Sequence, residues 1–354
     1  MRPPLAVVSD LDGTLLPRPE GMGSTLKTRS LAEGPAFEPL VKLLGLGGTV
    51  VGVTGSGFES HSKRFFADFP LAARKGGRVL LAVETGRRLY RGSPIDGNPI
   101  EDEAYTSFFE SRIRPLAQTT VDDLVSLGRA GLAQFYRDLG TPSETDRLVP
   151  PNDSMAFLRS LPGTPDCEEA PLTTDVKRVP RIEIREGNAA VVFVGVPVRH
   201  GNAYFSIPPK MQHLVDGKAT GRSCFDCLPA GLSKSLVLDF LLEAGEITPG
   251  RVVAFGDQPA GNDEGLTRWH PKEGGDGDGG EEGVIPFVSV SERREMVPDH
   301  LQAWHCLSGG GNAASAARAL SMLVESEGKQ QAEHGGVEYN LATMEELVRR
   351  ANEE

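Results

Sequence analysis

Leu5-Ala6-Val7-Val8-Ser9-Asp10-Leu11-Asp12-Gly13-Thr14-Leu15-Leu16 is the stretch from which the rest of the chain can be read. Its first half is a short apolar, β-branched run, the composition of a strand buried on both faces. Alternate residues of a strand share a face, so Asp10 and Asp12 project together where the strand ends, and Gly13 lets the chain turn away. In an open α/β sheet that end is where ligands bind. Two like charges so close destabilise each other unless a cation or a shared proton intervenes. The pair therefore suits one carboxylate as nucleophile, its neighbour as acid/base and a hard cation such as Mg²⁺. The competing reading is an Asx-rich turn after a strand.

Further strands and helices follow in alternation. A helix is expected over 36–46, with Phe37, Leu40, Leu43 and Leu44 at helical spacing. Thr49-Val50-Val51-Gly52-Val53-Thr54 reads as a second strand, a helix follows through Phe66, and Val79–Val83 is a third strand. This order predicts an α/β fold, a doubly wound parallel Rossmann-like core. After Tyr90 the pattern changes. Gly- and Pro-rich residues 91–101 lead to helices over 102–115 and 119–139, a long polar excursion over 140–180, and antiparallel strands at 181–185, 189–194 and 203–207. The parallel pattern resumes with a helix at 233–244, a strand at 252–255, a helix near 262–268, a strand at 285–290 and a helix at 313–325. The expected organisation is a core in two parts (1–85 and 229–325), an inserted α+β domain (86–228) and a C-terminal tail (326–354).

Composition narrows the function classes. The 354 residues carry a net charge of −12, which repels nucleic acid and anionic membranes, so neither is expected as a partner. No apolar stretch is long enough to span a bilayer. The first motif lies too close to Met1 for a signal or transit peptide, so a cytoplasmic location is expected. The four cysteines form no disulfide framework at this length, and the lone Cys224-Phe-Asp-Cys227 reads as incidental thiols rather than a zinc or redox site. The acidic Gly/Asp-rich run 273–283 reads as a solvated linker, and Gly309-Gly-Gly-Asn312 as a flexible loop rather than a phosphate cradle. Oligomeric state is left open.

Asp10-Leu-Asp12-Gly-Thr14 resembles the opening motif of the haloacid dehalogenase (HAD) superfamily of phosphohydrolases and phosphomutases. The resemblance implies a hydroxyl ending a second strand, a lysine starting a later helix and a Gly-Asp turn after another strand. All three occur in order. Thr54-Gly55-Ser56 ends the second strand, where hydroxyls and free N–H groups of a small-residue loop suit phosphate oxygens. Lys234 opens an apolar-periodic helix, an end where acids are normally favoured; a cation there would balance the aspartates and the phosphate. Phe255-Gly256-Asp257-Gln-Pro-Ala-Gly261-Asn262-Asp263 follows a strand. The resemblance implies Mg²⁺ held by Asp10, the main-chain carbonyl of Asp12, and Asp257, with Asp263 and Asn262 as a further ligand and an outer-shell residue.

The insertion lies between the hydroxyl and lysine motifs, where the superfamily's subfamily IIB places its C2-type cap. That subfamily contains Cof-type sugar phosphatases, trehalose and sucrose phosphate phosphatases, and phosphomannomutases. Glu84-Thr85-Gly86 resembles the Glu-Asn-Gly these proteins carry after the third strand, with Thr replacing Asn. Phe225-Asp226-x-x-Pro229-x-Gly231-x-x-Lys234 is similar to the phosphomannomutase segment around its lysine. Arg185-Glu-Gly187 and Pro197-Val-Arg199 are similar to that family's cap signature, which makes Arg185 and Arg199 candidate contacts to a substrate's distal phosphate. Their spacing is longer here and the metal loop shorter. An acid at position 12 separates the chain from the superfamily's ATPases and dehalogenases, which lack it. The expectation is a Mg²⁺-dependent phosphatase acting on a small phosphomonoester, a sugar phosphate, through an aspartyl-phosphate. A hexose-phosphate mutase is the alternative, and a non-catalytic phosphate-binding protein is the reading from outside enzymology.

Overall fold

Every residue of Ala6–Asp10 (β1) is buried, as a run of small and β-branched side chains requires of a strand covered on both faces. The computed structural model describes residues 3–16, 30–138, 181–185, 190–194, 204–220, 224–270, 283–291, 294, 297–307, 312–332, 339 and 341–353. From β1 the chain passes through Phe37–Gly45 (α1), which buries Leu40, Leu43 and Leu44, into Thr49–Val53 (β2). Phe58–Arg64 (α2) and Leu71–Lys75 (α3) precede Val79–Val83 (β3). β2 pairs parallel with both β1 and β3. Arg88–Gly92 (β4) and Pro99–Glu101 (β5) then extend the same sheet antiparallel from β3, and Glu103–Arg112 (α4) follows.

Two compact units divide the chain; one runs to Ser111 and resumes at Ser233, and the other is Arg112–Leu232. The expected insertion at 86–228 thus begins later, because β4 and β5 find their hydrogen-bond partners on β3. The second unit contains Gln118–Asp138 (α5), Arg181–Arg185 (β6), Ala190–Val194 (β7), Val215–Thr220 (β8) and Cys224–Pro229 (β9). Its sheet has the order β6-β7-β9-β8, antiparallel throughout, over a core that includes Val121, Leu124, Phe135, Val191, Phe193 and Phe225. The expected strand at 203–207 is not formed; Phe205 enters this core from an irregular segment, and β8 and β9 supply the pairing instead. Cys224 and Cys227 lie three apart along β9, so their thiols point to opposite faces of the sheet.

The first unit is completed by Ser235–Glu243 (α6), Val252–Gly256 (β10), the short pair Arg268–Trp269 (β11) and Gly283–Val284 (β12), Phe287–Ser289 (β13), Asn312–Ala332 (α7) and Leu341–Glu353 (α8). Where a helix was expected near 262–268 there is only one 3₁₀ turn, Glu264–Leu266. Within the expected C-terminal tail 326–354, α7 runs on to Ala332 and packs on α1, and α8 buries Met344, Leu347, Val348 and Ala351. The 140–180 excursion, most of the acidic run and Gly309–Gly311 lie outside the described residues.

The main sheet has the order β13-β10-β1-β2-β3-β4-β5, the first five strands parallel. This is a doubly wound α/β fold. The chain leaves β1 toward β2 on one side and returns to β10 on the other, so the strand order reverses beside β1. A crevice at the carboxyl ends of strands at such a reversal is where open α/β sheets bind ligands. Asp10, Thr54 and Asp257 all stand at those ends.

Candidate active site

Asp10 is the last residue of β1, level with Val53 of β2, and is only 5% exposed. Thr14 donates from its hydroxyl to Asp10 Oδ2 at 3.2 Å, because the chain folds straight back through Gly13 and buries Leu11, Leu15 and Leu16. Lys234 donates from Nζ to Asp10 Oδ1 at 2.5 Å and to Asp263 Oδ1 at 2.6 Å. That lysine is fully buried, a position lysine occupies only when paired. Asp263 spends its other oxygen on the Gln258 N–H at 2.9 Å. Asp263, expected among the metal ligands, thus holds the lysine and the turn after β10, and it is also one of the three carboxylates grouped closely enough to hold a cation. Its side chain presses on Gly256, where a Cβ would lie 2.6 Å from Asp263 Oδ2, so only glycine fits.

Asp10, Asp257 and Asp263 each offer an oxygen within 4.8 Å of the others. Among the described residues, one ammonium, that of Lys234, is paired to this group of three carboxylates, a net charge of −2 for these four side chains when all are ionised. Burial raises the Asp10 carboxyl well above the usual range, with Asp263 and Asp257 adding to the rise and Lys234 opposing it. For Lys234, burial alone would lower the ammonium, but Asp10 and Asp263 outweigh it and raise it. Nearby, Asn262 Oδ1 is buried without a hydrogen-bond partner. A buried surplus of negative charge beside an orphaned amide oxygen fits a hard divalent cation, which takes oxygen ligands.

Asp12 faces a different environment. His61 Nε2 lies 2.8 Å from Asp12 Oδ2, and Arg64 donates to Oδ1 at 3.2 Å. Partial burial pulls the Asp12 carboxyl upward, but the His61 hydrogen bond and the Arg64 charge prevail and bring it to about 2. Neither His61 nor Arg64 was singled out from the sequence. The available signal was a pair of polar residues at i and i+3 on the helix that follows the Thr54 loop.

Thr54 is buried, and its hydroxyl accepts the Ser56 N–H at 3.1 Å. The loop's carbonyls are held from the side: the Thr85 N–H donates to Thr54 O at 2.9 Å and the Glu84 N–H to Ser56 O at 3.0 Å. In a trans peptide the C=O and the following N–H point opposite ways, so this pinning turns the N–H groups of Gly55 and Gly57 outward from the brace. Glu84 (φ 54°) and Thr85 (φ 62°) adopt left-handed backbone to make these bonds, and Gly86 continues the turn (φ 86°) against Ser233 and Lys234. A β-branched residue there is strained. Asn tolerates this conformation far better, so Thr85→Asn should stabilise the protein by about 1 kcal/mol without lowering activity. A calorimetric melting curve would show it; a lower Tm would mean the threonine makes contacts worth more than its strain.

Arg185 ends β6 of the second unit, opposite Ala190. Arg199 lies outside the described residues.

The sequence matches no known family profile and no curated protein. Among solved structures, it is similar to an N-terminally truncated IMP-nucleotidase of Plasmodium falciparum (12% identity, TM-score 0.46). The match covers 82% of this chain and 67% of that one. It is also similar to the sucrose-phosphatase of Synechocystis in complex with sucrose and phosphate (12%, TM-score 0.46, 90% and 98%). A third is SMU.1108c of Streptococcus mutans (14%, TM-score 0.46, 93% and 99%). At such identities and TM-scores these likenesses say nothing of this chain's chemistry, and its fold rests on its own strand order. No described helix is long and apolar enough to cross a membrane.

Proposed function

We propose that the protein is a Mg²⁺-dependent phosphatase of the HAD superfamily that hydrolyses a small phosphomonoester, a sugar phosphate, through an aspartyl-phosphate on Asp10. The observation that carries this reading is the buried Asp10–Lys234–Asp263 chain beside Asp257, at the carboxyl ends of β1 and β10. An ionised nucleophile of such low solvent access needs the lysine fixed against it.

Asp10 attacks phosphorus in line, forming the Asp10–O–P bond as the P–O bond to the alcohol breaks. Asp12 supplies the proton the departing oxygen needs. His61 and Arg64 hold Asp12 near 2, so it rests ionised before substrate arrives; a dianionic phosphate beside it opposes that charge, and Asp12 takes up from solvent, as the substrate binds, the proton it then delivers. Asp12 then takes a proton from water, whose oxygen attacks phosphorus and returns Asp10 to its free carboxylate. Lys234, Thr54 and the N–H groups of Gly55 and Gly57 balance charge on the transferring group, where electrostatics supply most of the acceleration. Asp10, Asp257, Asp263 and the main-chain carbonyl of Asp12 would hold Mg²⁺, with Asn262 beside them, and the ion when bound would supply positive charge against the phosphate oxygens. The second unit takes the part of a substrate-selecting cap, with Arg185 and Arg199 as its candidate contacts.

The test is release of inorganic phosphate from a panel of hexose phosphates with Mg²⁺ and with EDTA. Release with Mg²⁺ and its loss with EDTA is the expected outcome. Interconversion of 1- and 6-phosphates activated by a hexose bisphosphate would establish a mutase instead. No turnover of any phosphate ester, with Asp10→Asn behaving like wild type, would leave a binding protein.

A further inference from the structure

We propose that His61 and Arg64 are positioning residues that fix the carboxylate of Asp12 for proton transfer to the leaving group. The inference deepens the phosphatase reading and rests on it. Asp12 follows the strand on a turn whose backbone bridges back to Leu16, but its side chain is 41% exposed and its described hydrogen bonds all come from outside that turn. Both restraints come from α2, one on each oxygen: His61 at 2.8 Å and Arg64 at 3.2 Å. An ionised carboxylate only accepts, so His61 Nε2 carries the proton of that bond. His61 is 1% exposed and its Nδ1 is buried with no hydrogen-bond partner. A residue kept only for packing would not bear the cost of an orphaned ring nitrogen; an apolar side chain would fill the space more cheaply.

The helix that carries the two donors is itself anchored at both ends. Phe58 stacks on Tyr90 of β4 at 4.2 Å, and just past the C-terminal end Phe65 lies edge-on to Phe69 and against the backbone of Gly52 in β2. Rigid support of this kind is what holds a catalytic group within the narrow tolerance that proton transfer needs. Because α2 begins at the end of the Thr54–Gly57 loop, one short segment sets both the phosphate-binding loop and the acid/base, and their relative placement is built in.

The test compares two substrates in kcat/KM, which reports the steps up to departure of the leaving group. A hexose 6-phosphate releases an alkoxide that needs a proton; p-nitrophenyl phosphate releases a stable phenolate that does not. His61→Leu should lower kcat/KM for the hexose phosphate by about 10²-fold and for the aryl phosphate by less than about 3-fold. His61→Gln, whose amide N–H reaches as far as imidazole Nε2, should recover most of the loss, and Arg64→Met should show a smaller loss of the same asymmetry. Equal losses on both substrates would mean a structural role and overturn the proposal. Crystal structures of wild type and His61→Leu read the same point without turnover: the Asp12 carboxylate should shift or split between rotamers in the variant, and an unchanged carboxylate would refute the clamp. If wild type hydrolyses no ester at all, the phosphatase reading fails, and the crystallographic comparison alone decides whether α2 fixes Asp12.

Discussion

Asp10→Asn is expected to abolish phosphate release, lowering kcat by on the order of 10⁴-fold or more, since an amide cannot take the nucleophile's part. The same substitution should make the metal-free protein more stable. It removes one of three clustered carboxylates, while Lys234 keeps Asp263 at 2.6 Å as a charged partner. A carboxyl whose folded value is raised contributes stability below its unfolded value, and that contribution is lost as pH rises through the folded one. Asp10 is raised, so at neutral pH its charge works against folding unless a cation compensates. Melting curves in EDTA should therefore place Asp10→Asn a few degrees above wild type, and the rise in Tm on adding Mg²⁺ should shrink in the variant. Retained activity would remove Asp10 from the role of nucleophile. A higher wild-type Tm in EDTA would mean that Lys234 more than compensates the charge of Asp10.

Lys234→Met should be the most damaging single change to the fold of the first unit. It leaves Asp10, Asp257 and Asp263 with no ammonium between them. Removing one partner of a buried ion pair costs about 3–5 kcal/mol, and for a chain of this size that lowers Tm by on the order of 10 °C. With its opposing influence gone, Asp10 rises further, so the variant should regain stability as pH falls and that carboxyl takes up a proton. Phosphate release should fall by at least about 10²-fold, the scale of one lost electrostatic contact to the transferring group. Combining Asp10→Asn with Lys234→Met should cost less than the sum of the two, since they remove the same contact. A Tm within a degree of wild type for Lys234→Met would show that the carboxylates are already protonated in the folded protein.

What could be read from the sequence and what could not divide along a physical line. Asp10, Thr54, Lys234 and Asp257 each stand at a strand end or helix start, so a local pattern of apolar residues and glycines locates them. Asp263 also follows from that pattern, but its two hydrogen bonds, to Lys234 and to the Gln258 backbone, depend on how a short loop closes. His61 and Arg64 act on a residue 49 and 52 positions away, and no local period marks such a meeting. The misread strand at 203–207 has the same origin. Tyr204, Phe205 and Ile207 have the composition of a strand, yet Phe205 plugs the smaller core without pairing. Conversely, β8 and β9 contain Gly217, Lys218 and Asp226 and gave little strand signal, though they pair along their whole length. Sheets are decided by partners distant in sequence, and composition records only half of that choice.

The position of β1 between β2 and β10 has a consequence for how the molecule is made. On the ribosome the β1–β2 pair can form early, but the other edge of β1 waits for a strand that begins at Val252. At ordinary synthesis rates of about 5–20 residues per second, the gap between β2 and β10 takes roughly 10–40 s to emerge. Through that interval the nascent chain carries an apolar strand with one side unpaired, an open template for misassociation. Chaperone demand during synthesis should accordingly be high, and should fall sharply once the β10 segment leaves the exit tunnel.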